Sequence, residues 1–127
     1  MAKPRILIAD DEEGIRESLS LILEDHYELV FAVDGEDTLA KAQKNGLGAI
    51  LLDIKMPKLD GLEVLKRLRK AGVKTPVLML TAYQSVELAK EAVRLGAVNY
   101  LPKPFERDQI IAAIREALSN DRQVSER

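Results

Sequence analysis

The sequence predicts an α/β domain of (βα)5 type, a doubly wound five-stranded parallel sheet with helices on both faces. Two patterns lead there. Short apolar runs alternate five times with stretches of helical spacing, and glycine or proline punctuates the joins. At 127 residues the chain suits one domain, long enough to bury roughly two thirds of its unfolded surface.

The elements follow in order. Ile6 to Ala9 reads as the first strand, and Ile15, Leu19 and Ile22, at i, i+4 and i+7, as the face of the first helix. Glu28 to Ala32 is the second strand. The stretch from Asp34 to Gln43 is the least hydrophobic of the helices. Ala49 to Leu52 is a continuous apolar run of the kind a sheet buries on both faces. Leu62, Leu65 and Leu68 mark helix three, and Pro76 opens a fourth strand over Val77 to Leu80. Val86, Ala89 and Val93 form the expected face of helix four, Asn99 to Leu101 the fifth strand, and Ile110, Ile114 and Leu118 the last helix face. Asn45-Gly46, Ala71-Gly72 and Leu95-Gly96 suit helix C-caps. Residues 1–119 form the expected domain, and the polar tail 120–127 is expected to fray or to begin a linker.

Composition narrows the function. With 19 basic and 21 acidic residues, and a formal net charge of -2, no bulk grip on nucleic acid or anionic membrane is expected. No cysteine is present, which excludes disulfides, thiolate metal sites and Cys nucleophiles. The longest N-terminal apolar run, "ILIA", is too short for a signal peptide or a membrane span. A cytoplasmic location is the expectation.

Chemistry collects at the strand ends, where open α/β sheets carry their functional groups. Strand one ends in Asp10-Asp11, strand three in Asp53 and strand four in Thr81, and strand five runs into Lys103. If the strands are parallel, three carboxylates, one hydroxyl and one ammonium share one crevice. Two carboxylates about 4 Å apart repel by about 4 kcal/mol at an effective dielectric of 20, so a cation beyond Lys103 is required. An oxygen-only donor set favours Mg²⁺, which keeps waters and takes phosphate ligands. Asp53 is then the natural nucleophile, since a carboxylate can accept a phosphoryl group. Lys103, Thr81 and the cation would bind its equatorial oxygens.

Four motifs in order, "ADD", "LLDIKMPKLDG", "LTA" and "YLPKPF", each at the end of an expected strand, resemble the receiver domain of two-component response regulators. The intervals agree: 42 residues from Asp11 to Asp53, 28 on to Thr81 and 22 on to Lys103. The resemblance covers about residues 4–119. It implies a flavodoxin-like sheet of strand order 2-1-3-4-5, and a domain that accepts a phosphoryl group on Asp53 from a sensor histidine kinase or phosphotransfer protein. It also implies Mg²⁺ held by Asp11, Asp53 and the Lys55 backbone carbonyl, with Asp10 helping through water. Lys103 would pair with the phosphoryl group, and the Lys103-Pro104 peptide would be cis. Thr81 and Tyr100 would form a switch that alters the helix 4–strand 5–helix 5 face, open to an effector or output domain. The resemblance would also place Lys55 and Tyr83, two residues past Asp53 and Thr81, beside the path of attacking water, where their bulk suggests slow loss of phosphate. The loop "NGLG" departs from many relatives without touching the site.

Plainer roles compete. Asp10-Asp11 or Thr81 would suit helix N-caps, Asp53 a turn, Lys103 a solvated loop, and Tyr100 simple packing. His26 reads as an exposed loop residue, and Lys66, Arg67, Arg69 and Lys70 as a solvated helix face. Among functions, a Mg²⁺-dependent hydrolase with an aspartyl-phosphate intermediate would also want Asp, Thr and Lys at strand ends. Such enzymes usually carry an acid-base carboxylate two residues after the nucleophile, where this chain has Lys55. A receiver-like module that is never phosphorylated is the third reading. Nucleotide binding is disfavoured because neither GxxxxGK nor GxGxxG occurs.

Overall fold

A computed structural model describes residues 3–44, 46–82 and 85–125. Its elements run β1 (Arg5–Ala9), α1 (Glu13–Leu23), β2 (Glu28–Ala32), α2 (Gly35–Ala42), β3 (Leu47–Leu52), α3 (Gly61–Lys70), β4 (Val77–Thr81), α4 (Val86–Arg94), β5 (Asn99–Pro102) and α5 (Arg107–Ser125). All the strands pair in parallel, in the order β2-β1-β3-β4-β5. The expected sheet and its order are both present.

The continuous apolar runs have a simple cause. Leu7, Ala9, Ile50, Leu52, Val77 and Met79 point to one face, where Val64, Leu65 and Leu68 of α3 and Ala92 of α4 cover them. Ile6, Ile8, Ala49, Leu51, Leu78 and Leu80 point to the other, under Leu19 and Leu23 of α1 and Ile110, Ile114 and Ala117 of α5. A strand covered on both sides has no solvent-facing position to fill with polar residues.

Helix ends follow the local chemistry. Asp34 and Asp60 cap α2 and α3 through the amides of Asp37 and Glu63. Gly72 and Gly96 take φ of 84° and 106°, and each closes a Schellman turn: Val73 N–H donates to Leu68 C=O, and Ala97 N–H to Ala92 C=O. Gly46 also has positive φ, but α2 reaches its C-cap earlier, at Gln43; Asn45 lies outside the described residues.

Two expectations need correction. The inward face of α4 is Leu88, Ala92 and Leu95, while Val86 and Val93 are exposed. The helix carries two apolar stripes, and the one centred on fully buried Ala92 faces the core. Helix α5 runs to Ser125, with neither glycine nor proline to interrupt residues 107–125. Arg69 does not belong to a merely solvated face. Its guanidinium donates to the carbonyls of Val73 (2.9 Å), Thr75 (3.0 Å) and Gly96 (3.0 Å), tying the ends of α3 and α4 together.

Candidate functional site

Parallel pairing brings the carboxyl ends of β1, β3, β4 and β5 to one edge of the sheet. The register aligns Ala9 with Leu52 across β1 and β3, and Asp53 N–H continues the ladder to Ala9 C=O at 3.0 Å. Asp10 and Asp53 therefore leave adjacent strands side by side. Thr81, fully buried, closes β4, and its carbonyl accepts from Lys103 N–H at 2.8 Å, which fixes where the lysine starts. The Lys103-Pro104 peptide is cis, as expected.

Lys103 is 8 % exposed and its ammonium lies among three carboxylates. Nζ is 2.6 Å from Asp10 Oδ2, 3.2 Å from Asp53 Oδ2 and 3.2 Å from Glu12 Oε1. Asp10 and Asp53 are themselves only 2 % and 5 % exposed. Asp11 is exposed at the rim, yet one carboxylate oxygen from each of Asp10, Asp11 and Asp53 falls within 4.8 Å of the others. Above them opens a cavity of about 600 Å³, lined by Asp11, Glu12, Asp53, Lys55, Met56, Pro57, Thr81 and Ala82.

The two oxygens of Asp53 differ. Oδ2 is held by Lys103, whereas Oδ1 is buried and has no hydrogen-bond partner among the described residues. A buried, unpartnered carboxylate oxygen is costly and calls for an electrophile or cation. Three converging oxygen donors, one of them orphaned beside a solvent-open cavity, fit a hard divalent cation such as Mg²⁺.

The electrostatics share a cause. Burial pushes the Asp10 carboxyl above the usual carboxylate range; the hydrogen bond from Lys103, the Glu12 amide and the Lys103 charge pull the other way, and the Asp53 charge adds to the rise. Burial also works against the Lys103 ammonium, but Asp10 and then Asp53 outweigh it and hold that group above its ordinary value. Lys103 stays charged, and the negative excess settles on the carboxylates.

The plainer roles can now be weighed. The N-cap of α1 is Glu12, without a side-chain cap bond; Asp10 Oδ1 accepts from the Glu12 amide at 3.0 Å, a turn contact that still leaves its other oxygen on Lys103. Ser85, not Thr81, caps α4. His26 is exposed. Tyr100 sits on β5 opposite Met79, half-buried against the α4-side core. Burial raises its phenol pKa, against a hydrogen bond with the Ser85 backbone and with help from the Asp53 charge. Tyr83 lies outside the described residues.

Sequence reasoning missed Glu12 as a partner of Lys103. The two lie 91 positions apart, and only the acidic run 10–13 hinted at a role. It also missed what sits behind the cavity wall. Gly61 donates to Ile54 C=O and lies so close to the site backbone that a Cβ there would be 2.0 Å from Asp53 O. The first residue of α3 must be glycine for the Asp53 loop to pass.

Fold and site together define a receiver of the kind used in phosphorelay signalling proteins. The family model for the response regulator receiver domain matches residues 6–115, and the chain belongs to that family. It is 43% identical over 119 residues to the uncharacterized transcriptional regulatory protein YkoG of Bacillus subtilis, a match covering 93% of this chain and 52% of that one. The chain thus spans about half the length of the curated relatives it matches. Among solved structures it resembles the receiver domain of the Francisella response regulator 1452, with a TM-score of 0.88 and 33% identity over 94% of this chain and 99% of that one. It also resembles a chain in the CheX-CheY-BeF3-Mg²⁺ complex of Borrelia burgdorferi, with a TM-score of 0.86 and 25% identity over 91% and 89% of the two chains. No helix among the described residues is long and apolar enough to cross a membrane.

Proposed function

We propose that this receiver accepts a phosphoryl group on Asp53 from a partner histidine kinase or phosphotransfer protein, with Mg²⁺, and passes the change to its surface. The observation that carries the reading is the orphaned Asp53 Oδ1, buried at the floor of the cavity while Lys103 holds the other oxygen. Asp53 Oδ1 attacks phosphorus, the bond from phosphorus to the donor breaks, and the leaving group takes the electron pair. Asp11, Asp53 and the Lys55 carbonyl would hold Mg²⁺, with Asp10 assisting; the ion would supply charge to the transferring phosphoryl oxygens. Lys103 neutralises the growing negative charge without reorganising, since it is already buried against Asp53. Thr81 lines the same cavity, where its hydroxyl would meet the phosphoryl group.

The switch belongs to the same reading. Phosphorylation adds negative charge and acceptor oxygens beside Thr81. Tyr100, half-buried one strand away, follows by repacking, and the α4-β5-α5 face changes. That face would meet an effector or an output domain, and the site of action would be cytoplasmic. Lys55 at the cavity rim would slow water attack on the phosphoryl group. The acid-base carboxylate that aspartyl-phosphate hydrolases usually carry two residues after the nucleophile is replaced here by Lys55, which disfavours turnover on a foreign substrate.

The test is intact mass after incubation with Mg²⁺ and a small acyl or amidyl phosphate donor. A stable single phosphoryl adduct in the wild type, absent from Asp53→Asn, is the expected result. Multiple turnover of donor would point to a hydrolase, and no adduct at all would leave an inert module.

A further inference from the structure

The cavity wall formed by residues 54–59 is braced from behind by the first turn of α2, outside the cavity lining. Gly35 N–H donates to Pro57 C=O at 3.2 Å, and the same carbonyl accepts from Leu59 N–H at 2.8 Å. Lys58, between them, has φ of 71°, a conformation that costs a residue with a side chain about 1 kcal/mol. Its ammonium reaches back to Asp34 Oδ2 at 3.6 Å. The approach is too close for any side chain on α2: a Cβ at Gly35 would lie 2.1 Å from Leu59 O and 2.4 Å from Leu59 Cβ. Backbone on backbone leaves no flexible atom to give way.

We propose that Gly35 is a positioning residue for the divalent-cation site. By letting α2 close on Pro57 and Leu59, it holds the segment that carries Lys55 and Met56 at the cavity rim; the inference rests on the proposed function above. The exposed Lys58–Asp34 pair adds little energy of its own, so the tight packing at Gly35 is the main brace. Gly35→Ala has to push the Leu59 backbone back by at least about 1.3 Å to reach an ordinary contact, and displacing a supporting group of this kind weakens metal affinity about tenfold or more.

The experiment titrates Mg²⁺ into metal-free protein and follows backbone amide shifts by NMR. Gly35→Ala is compared with Gly14→Ala, where an added Cβ meets nothing within 4 Å. Expected for Gly35→Ala are shifted amides at 54–59 before metal is added, and a Mg²⁺ Kd weakened about tenfold while the far-UV spectrum stays native. Gly14→Ala should match the wild type. Lys58→Gly relieves the backbone conformation and removes only the weak exposed ion pair, so it should fold and keep a Mg²⁺ Kd close to that of the wild type. A wild-type Kd in Gly35→Ala overturns the inference. If Gly35→Ala does not fold, amide exchange in the wild type decides: Mg²⁺ should slow exchange at Gly35 and Leu59, whose amides both donate to Pro57 C=O, and unchanged exchange overturns the inference. Should the wild type bind no Mg²⁺ and form no adduct, the proposed function itself fails; if it does both and Gly35→Ala keeps the wild-type Kd, only the positioning role fails.

Discussion

Replacing Lys103 with methionine keeps most of the side-chain volume and removes the only ammonium seen among Asp10, Asp53 and Glu12 in the described structure. Two carboxylates that were 2 % and 5 % exposed are then left facing each other. With their nearest oxygens within 4.8 Å of each other and an effective dielectric near 20, their repulsion is at least about 3.5 kcal/mol. Deleting one partner of a buried ion pair costs about 3–5 kcal/mol by the same logic. Metal-free Lys103→Met should therefore lose about 3–4 kcal/mol of stability at neutral pH. The loss should shrink in acid, where Asp10 takes up a proton, and with excess Mg²⁺, which would supply the missing positive charge. Urea denaturation with chelator, with Mg²⁺ and at acidic pH measures all three, and the linear slope m should stay constant. A loss below about 1 kcal/mol, indifferent to both Mg²⁺ and acid, would refute the reasoning and make Lys103 an ordinary loop lysine.

Two further outcomes are expected. Arg69→Met breaks three hydrogen bonds to carbonyls at the ends of α3 and α4 and should cost about 2 kcal/mol in urea denaturation, while the rate of phosphoryl adduct formation stays unchanged. In metal-free protein, Asp10 binds its proton more tightly folded than unfolded, so its contribution to stability grows as pH falls from its raised value towards 3.8. Lys103 contributes stability that is full below 10.5 and lost as pH rises through its raised folded value. Urea midpoints across pH should show both limbs in the wild type, and Asp10→Asn should lose the acid one.

Several parts of this architecture are written locally. The apolar run Ala49–Leu52 is buried on both faces, so every position in it must be apolar, and its end at Asp53 is visible as a break in that run. The turns at Gly72 and Gly96 need positive φ, which marks glycine in the sequence. Polar strand ends stand out for the same reason: a charge at the mouth of a buried strand has no packing role to explain it. The face of α4 was not legible, because Val86, Ala89 and Val93 offer as good a periodicity as Leu88, Ala92 and Leu95. Only the space left by the sheet selects between them. Nor was Arg69, which looks like its neighbours Lys66 and Lys70 until the Gly96 carbonyl, 27 positions away, arrives beside it.

The sequence by itself determined the alternation of elements, the order of the polar strand ends and the residue types that converge, since each follows from period, cap or run length within a few residues. Tertiary structure decided how those groups share their charges. That Lys103 holds Asp10 most closely, that Glu12 joins it, and that one oxygen of Asp53 finds no partner among the described residues all depend on distances between segments separated by tens of residues. The close fit of Gly35 against Leu59 has the same origin. Parallel register and helix packing set such distances to within an ångström, and no local pattern records them.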